Sequence, residues 1–349
     1  MYRRAYALLV GTAAVMGILA VVTALVLDKR LADPDGFLGP SWLRLPMLVG
    51  GAFLADLLPR TLRLSRMRPA AMPEVFRARV RSHWTRERVT LVVMGVVCFY
   101  VTYVSYRNLK SFLPFVLSDK KYDRELHLLD RVLMFGHDPA VVMHDLLGTG
   151  ITAWALSFIY LWFLPLVPLA LTAWLVWSRN MSYGYWFATS QCIAWALGTL
   201  SYYALPTLGP GFAYVSPYAG LPETPTSLLM ESLNSSRVQV MHGGVEGVVQ
   251  SVAGFASLHC AITLLVALMV QFTLRSTVLK WAFWINFGLT IVATLYFGWH
   301  YIADDIAGIM IAFISFYIGG IASGQKFERH GLSSHPTATT SAVPVEHDA

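Results

Sequence analysis

Long apolar runs separated by polar loops limit most strongly how this chain can fold. Residues 5–27 form the first run, without a charged side chain. Seven more follow at about 45–59, 89–106, 151–177, 185–205, 254–274, 281–299 and 306–323. A helix needs about 20 apolar residues to cross the hydrocarbon core of a bilayer, and such runs must be helical because no water satisfies the backbone there. The sequence therefore predicts an all-α, polytopic membrane helical bundle with about eight transmembrane helices.

Composition agrees with this fold class. Only 13% of the 349 residues are charged, about half of the roughly 25% found in soluble globular proteins. That value excludes a disordered chain, a coiled coil and an ordinary cytosolic enzyme. We divide the chain into two N-terminal transmembrane helices (1–60), a basic cytoplasmic loop (61–88), a six-helix core (89–324) and a disordered cytoplasmic tail (325–349).

The distribution of arginine predicts the orientation of the spans. Residues 60–88 contain nine arginines against Glu74 and Glu87, and an excess of positive charge is typical of cytoplasmic loops. Residues 107–150, on the opposite side by alternation, balance six basic with six acidic side chains. We expect a plasma (inner) membrane protein with both termini in the cytoplasm. We expect anionic lipid, and no nucleic acid, at the 60–88 loop.

Ionisable side chains close to membrane spans are costly and indicate function. His259 begins the sixth span, and His300 and Asp304 lie between the seventh and eighth, so alternation places all three at the extracytoplasmic face. Residues four apart share one face of a helix. The carboxylate can therefore fix the imidazole tautomer and leave the second ring nitrogen as a nucleophile. His259 could then act as general acid, across a gap of about 5–8 Å between ring nitrogens.

Other interpretations of these residues stay open. A histidine at the end of a span is commonly only an interfacial residue. His259, His300 and Asp304 also match a two-histidine, one-carboxylate zinc site, although no further ligand cluster supports it. Asp305 fits a charge at the N-terminus of the last span.

The residues around both histidines resemble motifs of the type-2 phosphatidic acid phosphatase (PAP2) superfamily. Residues 256–259 read Ala-Ser-Leu-His, similar to its second motif, and the Ser-Leu-His variant resembles the inositol phosphorylceramide synthase (inositolphosphotransferase-like) branch. Residues 300–308 read His-Tyr-x-x-Asp-x-x-Ala-Gly, which is similar to the third motif. Residues 130–139 and 203–210 resemble further stretches of that branch. The likeness covers about residues 89–324, the size of the six-helix core of the family.

This resemblance implies a mechanism through a phosphohistidine that needs no metal and no cofactor. His300 would attack the phosphorus, Asp304 would orient it, and His259 would protonate the leaving group. Ser257 would contact the phosphate, together with backbone N–H groups at the start of the sixth span.

The chain departs from the family pattern where the phosphate charge is neutralised. Superfamily phosphatases carry an arginine shortly before the third-motif histidine, whereas residues 296–299 here read Tyr-Phe-Gly-Trp. A phosphoryl transition state needs nearby positive charge. Our candidates for phosphate binding are Arg107 and Lys110 at the outer end of the third span, with Arg237 in reserve. Snorkelling of the first two side chains to the membrane interface is the competing explanation.

Three functions remain compatible with the sequence. The favoured one is a membrane phosphotransferase that moves a phosphate or phospho-head-group from a membrane lipid or lipid-linked donor to a small polyol or sugar acceptor. The second is a phosphatase for lipid phosphate or polyprenyl pyrophosphate, with water as acceptor. The third is a transporter or non-catalytic scaffold, which the lack of internal repeats disfavours. Residues 123–146 also form an amphipathic pattern, broken at Asp138-Pro139, that could roof the site or simply pack on the bundle.

Overall fold

The computed structural model describes residues 3–33, 41–117, 121–241, 254–328 and 331–334, and within these ranges the fold is helical except for one short sheet. The first seven helices are α1 (Arg3–Val26), α2 (Ser41–Leu64), α3 (Met72–His83), α4 (Arg86–Val116), α5 (Asp123–Leu133), α6 (Pro139–Leu147) and α7 (Ile151–Trp177). They are followed by α8 (Met181–Ala204), α9 (Pro210–Ala213), a 3-10 turn (Ser216–Tyr218), α10 (Pro225–Met241), α11 (Leu258–Thr273), α12 (Thr277–Tyr296) and α13 (Ile302–Ala322).

Six helices in the described ranges are long and apolar enough to cross a membrane, namely α1, α2, α4, α7, α12 and α13. The prediction of an all-α polytopic membrane bundle is therefore confirmed. The other two predicted spans, α8 and α11, fall short of these criteria. Helix α8 places polar side chains such as Ser190 and Gln191 in the core, and α11 has 16 residues. Both lie at the centre of the bundle, where protein rather than lipid surrounds them.

The second span is continuous despite its acidic residue. Asp56 is buried in α2 and accepts two hydrogen bonds from Arg79 of α3, at 3.1 Å from Nε and 2.8 Å from Nη2. Arg60 lies 3.4 Å away from the same carboxylate. The segment predicted as a basic loop at 61–88 therefore contains a helix, α3. This helix turns Arg79 inward to Asp56, whereas Arg77 and Arg81 stay exposed.

One end of the bundle collects the arginine-rich segment and several helix ends; we call it the basic end. Arg88, near the start of α4, is buried and donates to the carbonyl oxygens of Leu175, Val176 and Ser178 at 3.2, 3.2 and 2.7 Å. His83 donates to the Val176 oxygen at 2.9 Å. These donors satisfy carbonyl groups that a helix C-terminus leaves without intrahelical partners.

The start of the predicted disordered tail is ordered. Strands β1 (Gln325–Glu328) and β2 (Gly331–Ser334) form an antiparallel pair. The Gln325 side chain donates to the Ser182 hydroxyl, which itself donates to the Ser323 carbonyl at 3.0 Å. The expectation of disorder is wrong for these residues because buried polar contacts with α8 hold them. Residues 335–349 lie outside the described residues.

Candidate active site

The N-termini of α11 and α13 meet at the end of the bundle opposite the basic end. Ser257 caps α11, since its hydroxyl accepts the Cys260 N–H at 3.3 Å. The Ser257 N–H donates to the carbonyl oxygen of Asp304 at 2.9 Å. Gly308 sits so close to this junction that a Cβ atom there would overlap the Ser257 carbonyl oxygen. One backbone hydrogen bond therefore joins the two histidine-containing motifs.

His300 and Asp304 form the predicted hydrogen-bonded pair, although His300 lies just before α13 and not on a shared helix face. His300 Nδ1 lies 3.2 Å from Asp304 Oδ2, and both side chains are buried. The same Oδ2 accepts the Tyr301 N–H at 3.0 Å, which fixes the carboxylate in place. With Nδ1 donating to the carboxylate, the lone pair of this imidazole is on Nε2.

Aromatic rings hold His259 next to this pair. Its ring stacks on Tyr160 with centroids 4.3 Å apart, and Phe163 packs at 4.0 Å. Tyr160 also stacks on Trp299, the neighbour of His300, at 5.1 Å. The centroids of the His259 and His300 rings are 6.4 Å apart, so the two imidazoles are direct neighbours.

Lys110 brings positive charge to both histidines. It is buried near the end of α4, with Nζ 3.5 Å from the Tyr106 hydroxyl and 4.8 Å from the centre of the Tyr202 ring. When protonated, it is close enough to act electrostatically on His259 and on His300. Two tyrosines thus hold the buried Lys110 amine beside the paired imidazoles.

The structure gives fewer contacts for the other predicted phosphate ligands, Arg107, Ser257 and Arg237. Arg107 is half-buried one turn before Lys110, and in the described residues its Nε has no hydrogen-bond partner. The Ser257 hydroxyl is used as the α11 cap but keeps a proton to donate. Arg237 belongs to α10, and its side chain lies outside the described part of the chain.

Two carboxylates of α5 support the site, and sequence reasoning did not assign them this role. Asp123 accepts the N–H groups of Leu208 and Gly209 at 2.9 and 3.0 Å and the Tyr301 hydroxyl at 3.0 Å. Asp130 accepts the Ile302 N–H at 3.1 Å, at the first residue of α13. The sequence contains an indication of this shared role, because Asp123 and Asp130 are seven residues apart and therefore lie on one face of α5.

Asp305 is more than a charge at a helix terminus. It is buried, with Oδ1 accepting from the Cys260 thiol at 2.9 Å and Oδ2 lying 2.9 Å from the Thr294 hydroxyl. These contacts tie α11 and α12 to the start of α13. Asp305 therefore fixes the helices that carry the histidines.

A narrow crevice, too tight in this structure to admit a water molecule, adjoins His300. Its other lining residues are His127, Asp130, Asp138, Pro139, Pro210, Tyr218 and Leu295. Burial, reinforced by the Asp304, Asp138 and Asp305 carboxylates, raises the pKa of Asp130 to about 7.

Within the described ranges no group of three or more His, Cys, Asp or Glu side chains is arranged to hold a metal ion.

Most of the chain matches one protein family. The model described as PAP2 superfamily matches residues 124–318, more than half of the chain. The chain belongs to the PAP2 superfamily. Membership supports phosphatase or phosphotransferase chemistry on lipid phosphates. No curated protein and no solved structure gives a significant match.

The matched region of this PAP2 protein runs from α5 into α13 and includes His259, His300 and Asp304. Helix α4, with Arg107 and Lys110, lies N-terminal to it. The predicted start of the core at residue 89 therefore stays a prediction, and so does the inositol phosphorylceramide synthase-like branch.

We expect Gly308→Ala to reduce activity strongly without touching a catalytic side chain. The added methyl meets a backbone oxygen that cannot rotate away, so α13 must shift against α11. Overpacking of this kind costs about 1–3 kcal/mol, and a misplacement near 1 Å can lower turnover about 10²-fold. Thermal unfolding and turnover measure the two effects. Gly288→Ala in α12 is the matched control, since a Cβ there meets nothing within 4 Å; equal losses in both variants would contradict the packing argument.

Proposed function

We propose that this PAP2 protein is a membrane phosphotransferase. It moves a phosphate or phospho-head-group from a lipid or lipid-linked donor to a small polyol or sugar acceptor through a phosphohistidine. The observation that carries this proposal is the His300–Asp304 pair at 3.2 Å with the His259 ring 6.4 Å from that of His300. This arrangement supplies a nucleophile, the carboxylate that orients it, and a proton donor opposite it.

In the first step, His300 Nε2 attacks the phosphorus and the bond to the leaving oxygen of the donor breaks. His259 gives its proton to that oxygen, and Asp304 stabilises the positive charge that develops on His300. In the second step, the acceptor hydroxyl attacks the phosphorus, His259 takes the hydroxyl proton, and the phosphorus–nitrogen bond breaks. His300 and His259 then return to their starting protonation states.

Charge stabilisation in this scheme comes chiefly from Lys110. A fixed cation in a water-poor site stabilises a phosphoryl transition state more than it would in water. Arg107 adds a second cation one turn earlier, and the Ser257 hydroxyl offers a hydrogen bond. Lys110 would compensate for the arginine that residues 296–299 lack.

Transfer to an alcohol is favoured over hydrolysis by two observations. The Ser-Leu-His variant at residues 257–259 resembles the inositol phosphorylceramide synthase branch. His300 is also buried, so bulk water has limited access to a phosphohistidine there. A PAP2-type lipid phosphate or polyprenyl pyrophosphate phosphatase remains the second candidate.

The proposed orientation in the plasma membrane places both termini in the cytoplasm and the histidines at the extracytoplasmic face. The exposed arginines of residues 60–86 lie at the basic end, against anionic lipid. From Arg88 to Lys110 along α4 the rise is about 33 Å at 1.5 Å per residue, close to the hydrocarbon thickness of about 30 Å. The basic end and the site therefore fit opposite faces of one bilayer.

We expect an impermeant thiol reagent to label Glu223→Cys in intact cells, and Arg77→Cys only after permeabilisation. Both side chains are exposed, at opposite ends of the bundle. The native cysteines, Cys98, Cys192 and Cys260, are all buried and so give little background. The reverse pattern of labelling would overturn the orientation.

We expect the acid limb of kcat/KM to lie near pH 4. Burial, assisted by the Lys110 ammonium and opposed by the Asp305 carboxylate, lowers the pKa of His300 to about 4. The nucleophile must be neutral, and a lowered pKa keeps it neutral to lower pH than the usual 6.5. A profile measured on the free enzyme at low substrate concentration checks this, and a limb at 6.5 or above would show that His300 titrates like an exposed histidine.

Labelled lipid phosphates, supplied with and without inositol or glycerol, test the function. We expect a radioactive phosphoenzyme from the donor and a labelled acceptor product when a polyol is present. Release of inorganic phosphate alone, unaffected by polyols, would favour the phosphatase. Absence of any phosphoenzyme and any turnover would support a non-catalytic role.

A further inference from the structure

Helix α5 buries acidic side chains and exposes apolar ones, the opposite of a surface helix in water. Its carboxylates Asp123 and Asp130 point inward and are buried, held by backbone N–H groups and the Tyr301 hydroxyl. Its exposed face carries Glu125 in the first turn and large apolar side chains in the turns that follow. Those with more than two-fifths of their surface exposed are Leu128, Leu129, Val132 and Leu133. A helix facing water would place these two classes of residue the other way round.

The turn after α5 extends this apolar face. Phe135 is 94% exposed and adopts a left-handed backbone conformation with φ near 55°, which is unusual for a bulky residue. Gly136 follows with φ near 92°, and the Arg131 guanidinium donates to its carbonyl oxygen from both Nε and Nη2 at 3.0 Å. The turn is thus held in a form that points an aromatic ring away from the protein.

The apolar surface continues into a membrane-spanning helix. Leu146 at the end of α6 is 75% exposed, and Ile151, the first residue of α7, is 88% exposed. Because α7 is long and apolar enough to span a bilayer, lipid acyl chains surround its outer surface. Arg124 and Arg131 are exposed along one edge of α5, which is where head-group phosphates meet an interfacial helix.

We propose that α5 and α6, residues 123–147, lie in the lipid leaflet on the active-site side, with Val132, Phe135 and Leu146 among the acyl chains. We call this pair the interfacial elbow. Its occupant is bilayer lipid, because the exposed face is apolar, adjoins a membrane span and has an arginine edge. The lipid contact does not depend on the proposed function.

The elbow links lipid contact to the site. The inward carboxylates of α5 hold residues 208–209, Tyr301 and Ile302, which adjoin His300. A donor lipid whose chains stay in the leaflet would therefore present its phosphate at the depth of the histidines. This second part rests on the proposed phosphotransferase function.

The lipid contact is tested with a fluorophore on Phe135→Cys in nanodiscs that contain bromine-labelled phosphatidylcholine. Ala219→Cys, exposed in another loop of the same end, is the matched control, and the buried native cysteines do not compete for the label. We expect bromolipid to quench position 135 several-fold more than position 219, and aqueous iodide to show the opposite preference. Equal quenching at both positions, or stronger iodide quenching at 135, would overturn the proposal.

Activity separates the two parts of the inference. With Phe135→Ser, we expect kcat/KM to fall several-fold for a long-chain lipid phosphate in vesicles and to stay unchanged for a water-soluble phosphate ester. An equal fall for both substrates would show that the residue is only structural. If wild-type protein turns over neither substrate, the phosphotransferase proposal fails while the quenching result still decides the lipid contact.

Discussion

His300→Ala is expected to abolish turnover and the phosphoenzyme together. The substitution removes the atom that bonds to phosphorus, and losses of this kind are on the order of 10⁶-fold. Asp304→Asn should keep the shape of the pair but favour the wrong imidazole tautomer, with a loss of about 10²–10⁴-fold. His259→Ala should still form the phosphoenzyme from a donor whose leaving group needs no proton. Acid-labile label on the protein and steady-state turnover measure these effects.

The ranking of the three variants is the decisive part of this prediction. If His300→Ala kept more activity than Asp304→Asn, the nucleophile would be misassigned. His137→Ala is a suitable control, because His137 is an exposed imidazole in the turn between α5 and α6. A loss of activity restored by zinc after chelation would instead assign His259, His300 and Asp304 to a metal site.

Lys110→Met is expected to lower turnover by roughly 10²–10³-fold, the usual effect of removing one preorganised charge or donor from a transition state. Methionine approximates the length of the lysine stem, so the packing against Tyr106 and Tyr202 should persist. The loss should therefore appear in kcat/KM rather than in the thermal midpoint. Inorganic phosphate or vanadate should also bind more weakly as an inhibitor.

Lys29→Met is the matched control for Lys110→Met. Lys29 lies at the same end of the bundle, 4.8 Å from the centre of the Phe115 ring, and so tests removal of a nearby cation in general. We expect its turnover to match that of the unchanged protein. If Lys110→Met also retained full activity, the counter-charge would have to come from Arg107 or Arg237.

The length of an apolar run predicted a helix well where the helix faces lipid, because lipid contact requires apolar side chains. Residues 151–177 are α7 to the residue. Helix α4 extends ten residues beyond the predicted end at 106, since Arg107 and Lys110 interrupt the apolar pattern but not the helix. The second span appeared broken at Asp56, because its partner Arg79 lies 23 residues away and only the fold brings them together. The tail hairpin contacts Ser182, which is 143 residues from Gln325.

In the candidate site too, contacts between residues close in sequence could be predicted, and contacts between distant segments could not. The pairing of His300 with Asp304 was predicted from a helical spacing, but His300 precedes α13, and Asp304 reaches it from the first turn while also capping the helix. The stacking of His259 on Tyr160, and the contacts of Asp123 with residues 208–209, join segments about 85 to 100 residues apart. No local pattern encodes such distances. The apolar pattern of α5 was recognised, but not which side faces the protein, because the periodicity of a helix is the same in either orientation.

The contacts of Arg88 have a consequence for assembly during synthesis. Helix α4 leaves the ribosome before α7, so the guanidinium of Arg88 exists for some time without the three carbonyl oxygens that it later binds. A charge without partners is costly inside a bilayer, and it therefore stays at the aqueous surface until residues 175–178 arrive. Docking of α7 then withdraws Arg88 from water and fixes α4 at its depth in the membrane. We therefore expect α4 to reach its final depth only after α7 has docked.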